Sequence, residues 1–110
     1  MAGISDRDWS DVGESDYADA DEYCDACLID LNAAGEEKKK ERCKLPVREP
    51  KSRGGKLNRN AVHAAAVVLA GGRRGVDAPR GEKRKAARKL VELYRELDED
   101  PPDSIRKLTR

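Results

Sequence analysis

Large apolar side chains are scarce in this chain. Its 110 residues include no phenylalanine, one tryptophan, three tyrosines, one methionine and one histidine. Alanine supplies 14 members of a hydrophobic fraction of only 37%, while 41% of the chain is charged. This composition excludes a large greasy core and, at this length, leaves room for one small domain. No stretch approaches the roughly 18 consecutive apolar residues that a membrane-spanning helix needs. The charged start, Met1 to Asp8, lacks the apolar segment of a secretory signal. We therefore expect a protein that is not exported by a signal peptide and has no membrane partner. Cysteine is also sparse, and its odd count of three argues against a closed disulfide framework.

Charge is abundant, and it is segregated. The formal net charge is +1, yet residues 1–30 carry ten acids against Arg7 alone, and residues 38–95 carry nineteen Lys or Arg against five acids. An acidic head is joined to a basic body. Opposite charges so separated can pair within one fold, pair between copies, or offer the basic half to an outside polyanion.

Turn and cap signals divide the chain. Residues 1–14 hold few anchors beyond Ile4, Trp9 and Val12 and read as a loosely ordered acidic arm. Residues 15–110 read as a single small helical domain. Ser15 is a suitable N-cap, and Tyr17, Ala20, Cys24, Cys27, Leu28 and Leu31 recur at helical spacing, which predicts a helix over 16–32. The run from Cys43 to Pro50 holds two prolines that favour extended backbone, and Leu45 and Val47 can plug a core from it without a paired strand. Asn58 caps a second helix with a stripe of Val62, Ala65, Ala66 and Leu69 and with Leu57 as staple; Gly71 and Gly72 stop it. Ala86, Ala87, Leu90, Val91, Tyr94 and Leu97 mark a third helix behind Asp77-Ala78-Pro79, and Pro101-Pro102 end it. Ile105 and Leu108 suit one short turn folded back on the core. The fold class expected is all-α: three helices, extended Pro/Gly loops and the loose arm. Its core is Leu28, Leu31, Val62, Leu69, Leu90, Val91, Tyr94 and Leu97.

Two sets of residues offer chemistry. Cys24, Cys27, Cys43 and His63 are four thiol and imidazole groups of the kind tetrahedral zinc takes, and zinc would stabilise so small a core. The competing reading makes the cysteines small core hydrophobes and His63 a helix-flank residue, with no cofactor. The second set is basic: Arg73, Arg74, Arg80, Lys83, Arg84, Lys85, Arg88 and Lys89. Together they would neutralise phosphates without sequence preference, and the lack of aromatics beside them argues against single-strand stacking. No nucleophile, base and orienting acid stand at an informative spacing, and Gly71-Gly72-Arg73-Arg74-Gly75 lacks the ending of a phosphate loop. The expectation is a protein that is not an enzyme.

Three segments carry a resemblance: Ala26-Cys27-Leu28-Ile29-Asp30, Lys44 to Pro50, and Gly55 to Ala66. With the helix Ala86 to Arg95 and Pro101-Pro102, the chain resembles, over roughly 23–108, a small family of tailed-bacteriophage and prophage proteins of unknown function. There the module stands alone or is joined to head-morphogenesis components. Cys24 and Cys43 depart from that pattern, so a metal site here would be peculiar to this chain. The resemblance implies an accessory structural or interaction module, in the bacterial host cytoplasm or the virion, bound to a phage assembly protein or to itself. A basic nucleic-acid-binding module, zinc-stabilised or not, is the alternative.

Overall fold

The computed structural model describes residues 3–72 and 75–110. Among these, four helices and four short strands build two small sheets, so the all-α, three-helix expectation is overturned. The first strand, β1 (Ile4–Ser5), lies in the stretch expected to be loose. It runs parallel to β4 (Leu57–Asn58), with Ile4 opposite Leu57. A 3-10 turn follows at Trp9–Asp11, closed by Asp8, whose carboxylate accepts from the Ser10 N–H.

The predicted helix over 16–32 is much shorter. Helix α1 spans Ala20–Ala26, and its N-cap is Asp19, which accepts from the Glu22 N–H at 2.8 Å; Ser15 has no such role. At Cys27 the backbone turns extended and becomes β2 (Cys27–Asp30). Strand β3 (Cys43–Pro46) pairs antiparallel with it, placing Cys27 opposite Pro46 and Asp30 opposite Cys43. The segment expected to stay unpaired is thus half of a sheet. Pairing satisfies backbone groups that burial of Leu28 and Ile29 would otherwise leave without water.

Of the later helices only the one behind Asn58 follows its expected side-chain cap. Helix α2 (Arg59–Leu69) starts at Asn58, whose Oδ1 accepts from the Ala61 N–H at 2.8 Å, and buries Ala61, Val62, Ala65, Ala66 and Leu69. It stops at Gly71, whose φ of 108° is a left-handed conformation that costs glycine nothing. Helix α3 (Arg80–Glu96) is not capped by Asp77; it has Pro79 at its N-cap, ends short of Pro101-Pro102, and buries Ala86, Ala87, Leu90 and Tyr94. Its end is a Schellman turn: the Asp98 N–H donates to Arg95 O at 3.0 Å and the Glu99 N–H to Tyr94 O at 2.9 Å, with Asp98 at φ 59°. Helix α4 (Asp103–Leu108) then returns and inserts Ile105.

One main core holds Leu28, Ile29, Val47, Leu57, Val62, Leu69, Leu90, Tyr94, Leu97 and Ile105 with four alanines. Leu31 and Val91, expected inside, only line its margin. A second, smaller cluster lies under the acidic head: Tyr17, Tyr23, Cys24, Ala26 and Cys43. Its two tyrosine rings meet edge to face at 5.1 Å.

Asn58 has a second task. Fully buried, it donates from Nδ2 to Glu49 Oε2 at 2.9 Å and to Arg7 O at 3.0 Å. Burial opposes the Glu49 charge, but hydrogen bonds from Ser5 and Asn58 outweigh it and hold this carboxyl below the usual range. Asn58→Ala removes a helix cap and one partner of a buried carboxylate, so we expect a loss of about 2 kcal/mol, read from urea unfolding. Asn58→Asp keeps the cap acceptor but opposes two carboxylates, and should recover little of that stability.

Candidate functional site

The four expected zinc ligands do not meet. Cys24 on α1 and Cys43 on β3 are joined in a disulfide, their Cα atoms 5.3 Å apart. They are therefore not free for zinc; of the three cysteines two pair in a single bridge and one is left. Cys27 is the free thiol. Burial, with the nearby Glu14 and Asp30 charges adding to it, pushes that thiol up to about 12 despite a hydrogen bond with Tyr23. His63 belongs to another part of the molecule. Its ring stacks on Tyr94 at 5.9 Å, and its Nε2 lies 2.8 Å from Glu99 Oε1.

That histidine is part of a polar clasp. The Arg59 guanidinium bonds Asp6 Oδ1 at 2.6 Å on one side and the Glu99 carboxylate on the other. Hydrogen bonds from His63 first and Arg59 second hold the Glu99 carboxyl below its ordinary range. The clasp ties the first strand, α2 and the α3–α4 corner together.

Around the disulfide the arrangement is tighter. One ligand atom each from Cys24, Cys43 and Asp30 lie within 4.8 Å of one another. Asn32 leans over them: its Nδ2 is 3.6 Å from Cys24 Sγ, 3.3 Å from Cys43 Sγ and 2.8 Å from Asp30 Oδ1. Lys38 Nζ sits 2.8 Å from Asp30 Oδ2. Burial raises the Asp30 carboxyl, but the Lys38 and Asn32 hydrogen bonds more than reverse it, so it stays below the usual range. Sequence reading missed Asp30 and Asn32. Their one local signal is position, since two turn-forming polar residues close the apolar run Leu28-Ile29.

The basic set divides. Arg73 and Arg74 lie outside the described residues. Arg80, Lys83, Arg84, Lys85, Arg88 and Lys89 all fall in α3, as expected. Lys85 stands 3.7 Å from Glu82, and Lys89 Nζ donates to Leu28 O at 3.4 Å. Arg80, Arg84 and Arg88 are exposed at four-residue spacing and have no ion-pair partner among the described residues. On the acidic head, Asp19, Asp21 and Asp25 line an open cleft of about 460 Å³ with Asp16, Glu22 and Lys51. Of the acids in the arm and head, Asp6 reaches Arg59, Asp16 reaches Arg53 at 3.9 Å and Asp30 reaches Lys38; none of these partners is on α3.

No helix among the described residues is long and apolar enough to cross a membrane. No family model, curated protein or solved structure matches the chain.

Proposed function

We propose that the chain is a phage-encoded accessory module without a catalytic role, which takes its place in a virion or head assembly through its charged surfaces. The carrying observation is that acidic head and basic helix are not used up on each other. Arg80, Arg84 and Arg88 form an exposed stripe on α3 with no acid paired to them among the described residues, while the head presents its aspartates in an open cleft. Surfaces of opposite sign that stay unpaired within one molecule steer and orient contacts with another. The partner is a second copy or an acidic assembly protein. The sequence resemblance over 23–108 agrees with this reading. So does the disulfide, which survives in virions more readily than in a host cytoplasm that keeps thiols reduced.

The test is sedimentation of the wild type and the triple variant R80E/R84E/R88E at low and at moderate salt. Self-association of the wild type at 50 mM salt, lost at 500 mM and in the triple variant, is the expected result. A wild type that remains monomeric and captures no phage head protein would overturn the reading. The same stripe supports a second one, duplex nucleic acid bound through phosphates. Three arginines engaging three phosphates would give a log–log salt slope of about −3, and that slope would be absent from the triple variant.

A further inference from the structure

We infer that this chain carries a redox-gated site for a soft divalent cation, zinc by its ligand chemistry, formed by Cys24, Cys43 and Asp30 once the disulfide between the two cysteines is opened. The site stands apart from the proposed assembly role and does not need it. Two thiolates and a carboxylate are ligands that zinc accepts, with water in the fourth position of a three-ligand site. Tetrahedral zinc with bonds of about 2.3 Å holds two sulfurs about 3.8 Å apart. Cysteines whose Cα atoms are 5.3 Å apart reach that spacing by side-chain rotation. Asp30 lies opposite Cys43 in the β2–β3 register, so the sheet fixes two of the three ligands against each other.

Asn32 is the independent observation. Its Oδ1 accepts from the Lys39 N–H at 2.8 Å, and its Nδ2 donates to Asp30 Oδ1 at 2.8 Å while also facing Lys39 O and Cys43 Sγ at 3.3 Å and Cys24 Sγ at 3.6 Å. A neutral disulfide sulfur gains little from such a donor, whereas a thiolate gains a charge-assisted hydrogen bond. Donors of this kind, held by the fold beside the ligands, orient and tune thiolate–metal centres. Neither Cys27 nor His63 belongs to the group.

The gating step uses a dithiol reductant. One of its thiolates attacks Sγ of Cys24 or Cys43, and the mixed disulfide is resolved by its second sulfur. Two electrons and two protons end on Cys24 and Cys43 as thiols, and the reductant leaves as a cyclic disulfide. The cation then displaces those two protons to solvent and takes one carboxylate oxygen of Asp30, whose charge Lys38 otherwise shares. A small-molecule disulfide reverses the step: one cysteine thiolate attacks it and expels a thiolate, the second cysteine attacks the mixed disulfide and expels the other, and the cation is released as the Cys24–Cys43 bond closes.

The experiment titrates Zn²⁺ against a chromophoric chelator, and Co²⁺ by its thiolate charge-transfer band, into protein reduced with dithiothreitol and desalted without air. The reduced wild type should take one equivalent and the oxidised protein none. Asp30→Asn should weaken Zn²⁺ binding by more than the about 10- to 100-fold that loss of an outer-shell partner costs, Lys38→Ala should tighten it, and Cys27→Ser and His63→Ala should match the wild type. Circular dichroism follows the same titration: if reduction loosens the fold, Zn²⁺ should restore the helical signal. The inference is overturned if the reduced protein takes no stoichiometric metal, if Asp30→Asn binds as the wild type does, if Cys27→Ser or His63→Ala abolishes binding, or if a loosened reduced protein is not restored.

Discussion

Leu90→Ala is expected to lower stability by about 3–5 kcal/mol and to leave the protein largely unfolded at 37 °C. Leu90 is fully buried on α3 in the main core, which also holds Tyr94, Leu97 and four alanines. Truncating its isobutyl group to methyl loses the transfer free energy of three carbons and leaves a cavity. Small neighbours cannot swing in to fill the space, because Ala65, Ala66, Ala86 and Ala87 have no side-chain freedom with which to do so. Domains of this size hold 5–15 kcal/mol in all, and a core so poor in large residues sits toward the low end. Thermal unfolding followed by circular dichroism measures the effect. Val67→Ala is the control: Val67 is 53% exposed, and a change within about 0.5 kcal/mol is expected there. Equal losses at the two positions would refute the account of the core.

Opening the Cys24–Cys43 bond without adding metal is the second large effect, with an expected loss of about 3 kcal/mol. The bond closes a loop of sequence separation 19, and constraint of the unfolded chain over such a loop accounts for about that much. The second cluster depends on it, since Tyr17, Tyr23 and Ala26 are too few to hold α1 on β3 alone. Lys40, half-buried, donates to Glu14 O at 3.1 Å and Tyr17 O at 3.2 Å, but those bonds hold the segment before α1 and not α1 itself. Urea unfolding of the wild type with and without dithiothreitol, in chelator, reads the difference; a C24S/C43S variant should match the reduced wild type. A midpoint that does not move would mean the bond is dispensable. Cys27 adds a kinetic signature. While folded, its thiol is held out of the thiolate form by burial. Once unfolded it can attack the bond three residues away, so refolding should be less complete for the wild type than for Cys27→Ser.

Much of this architecture is legible in the sequence wherever local rules decide. Asn58, Gly71, Pro79 and Pro102 bound α2, α3 and α4 because caps and ring geometry act over one turn, and the alanine stripes announce which faces are buried. Helical spacing misleads at residues 16–32. Positions 20, 24, 27, 28 and 31 fit a period of 3.6, but four residues of a strand buried on both sides show no alternation against which to test that period. What decides the matter is a partner sixteen residues further on, and pairing of that kind leaves no local trace. Leu45, in a left-handed conformation at φ 63° within β3, is equally silent in sequence.

The candidate sites divide along the same line. The basic stripe was readable because it lies on one helix. Three cysteines permit three pairings, and spacing alone ranks none of them. Asp30 and Asn32 come to the sulfurs only through the β2–β3 sheet, and the histidine was drawn away by Glu99, 36 residues distant. Long-range polar choices of this sort depend on the finished packing and not on residue order.

The clasp on the first strand bears on the order of assembly. Asn58 and Asn60 donate to Arg7 O, and Arg59 to Asp6, all across more than fifty residues of chain. Contacts of such separation must meet the entropy of closing a long loop before any bond is made. We therefore expect the opening segment to be fastened after α2 and the helices beside it exist, and to detach ahead of them in native-state hydrogen exchange. Its amides then exchange through partial opening, while those of α3 wait for the whole molecule to come apart.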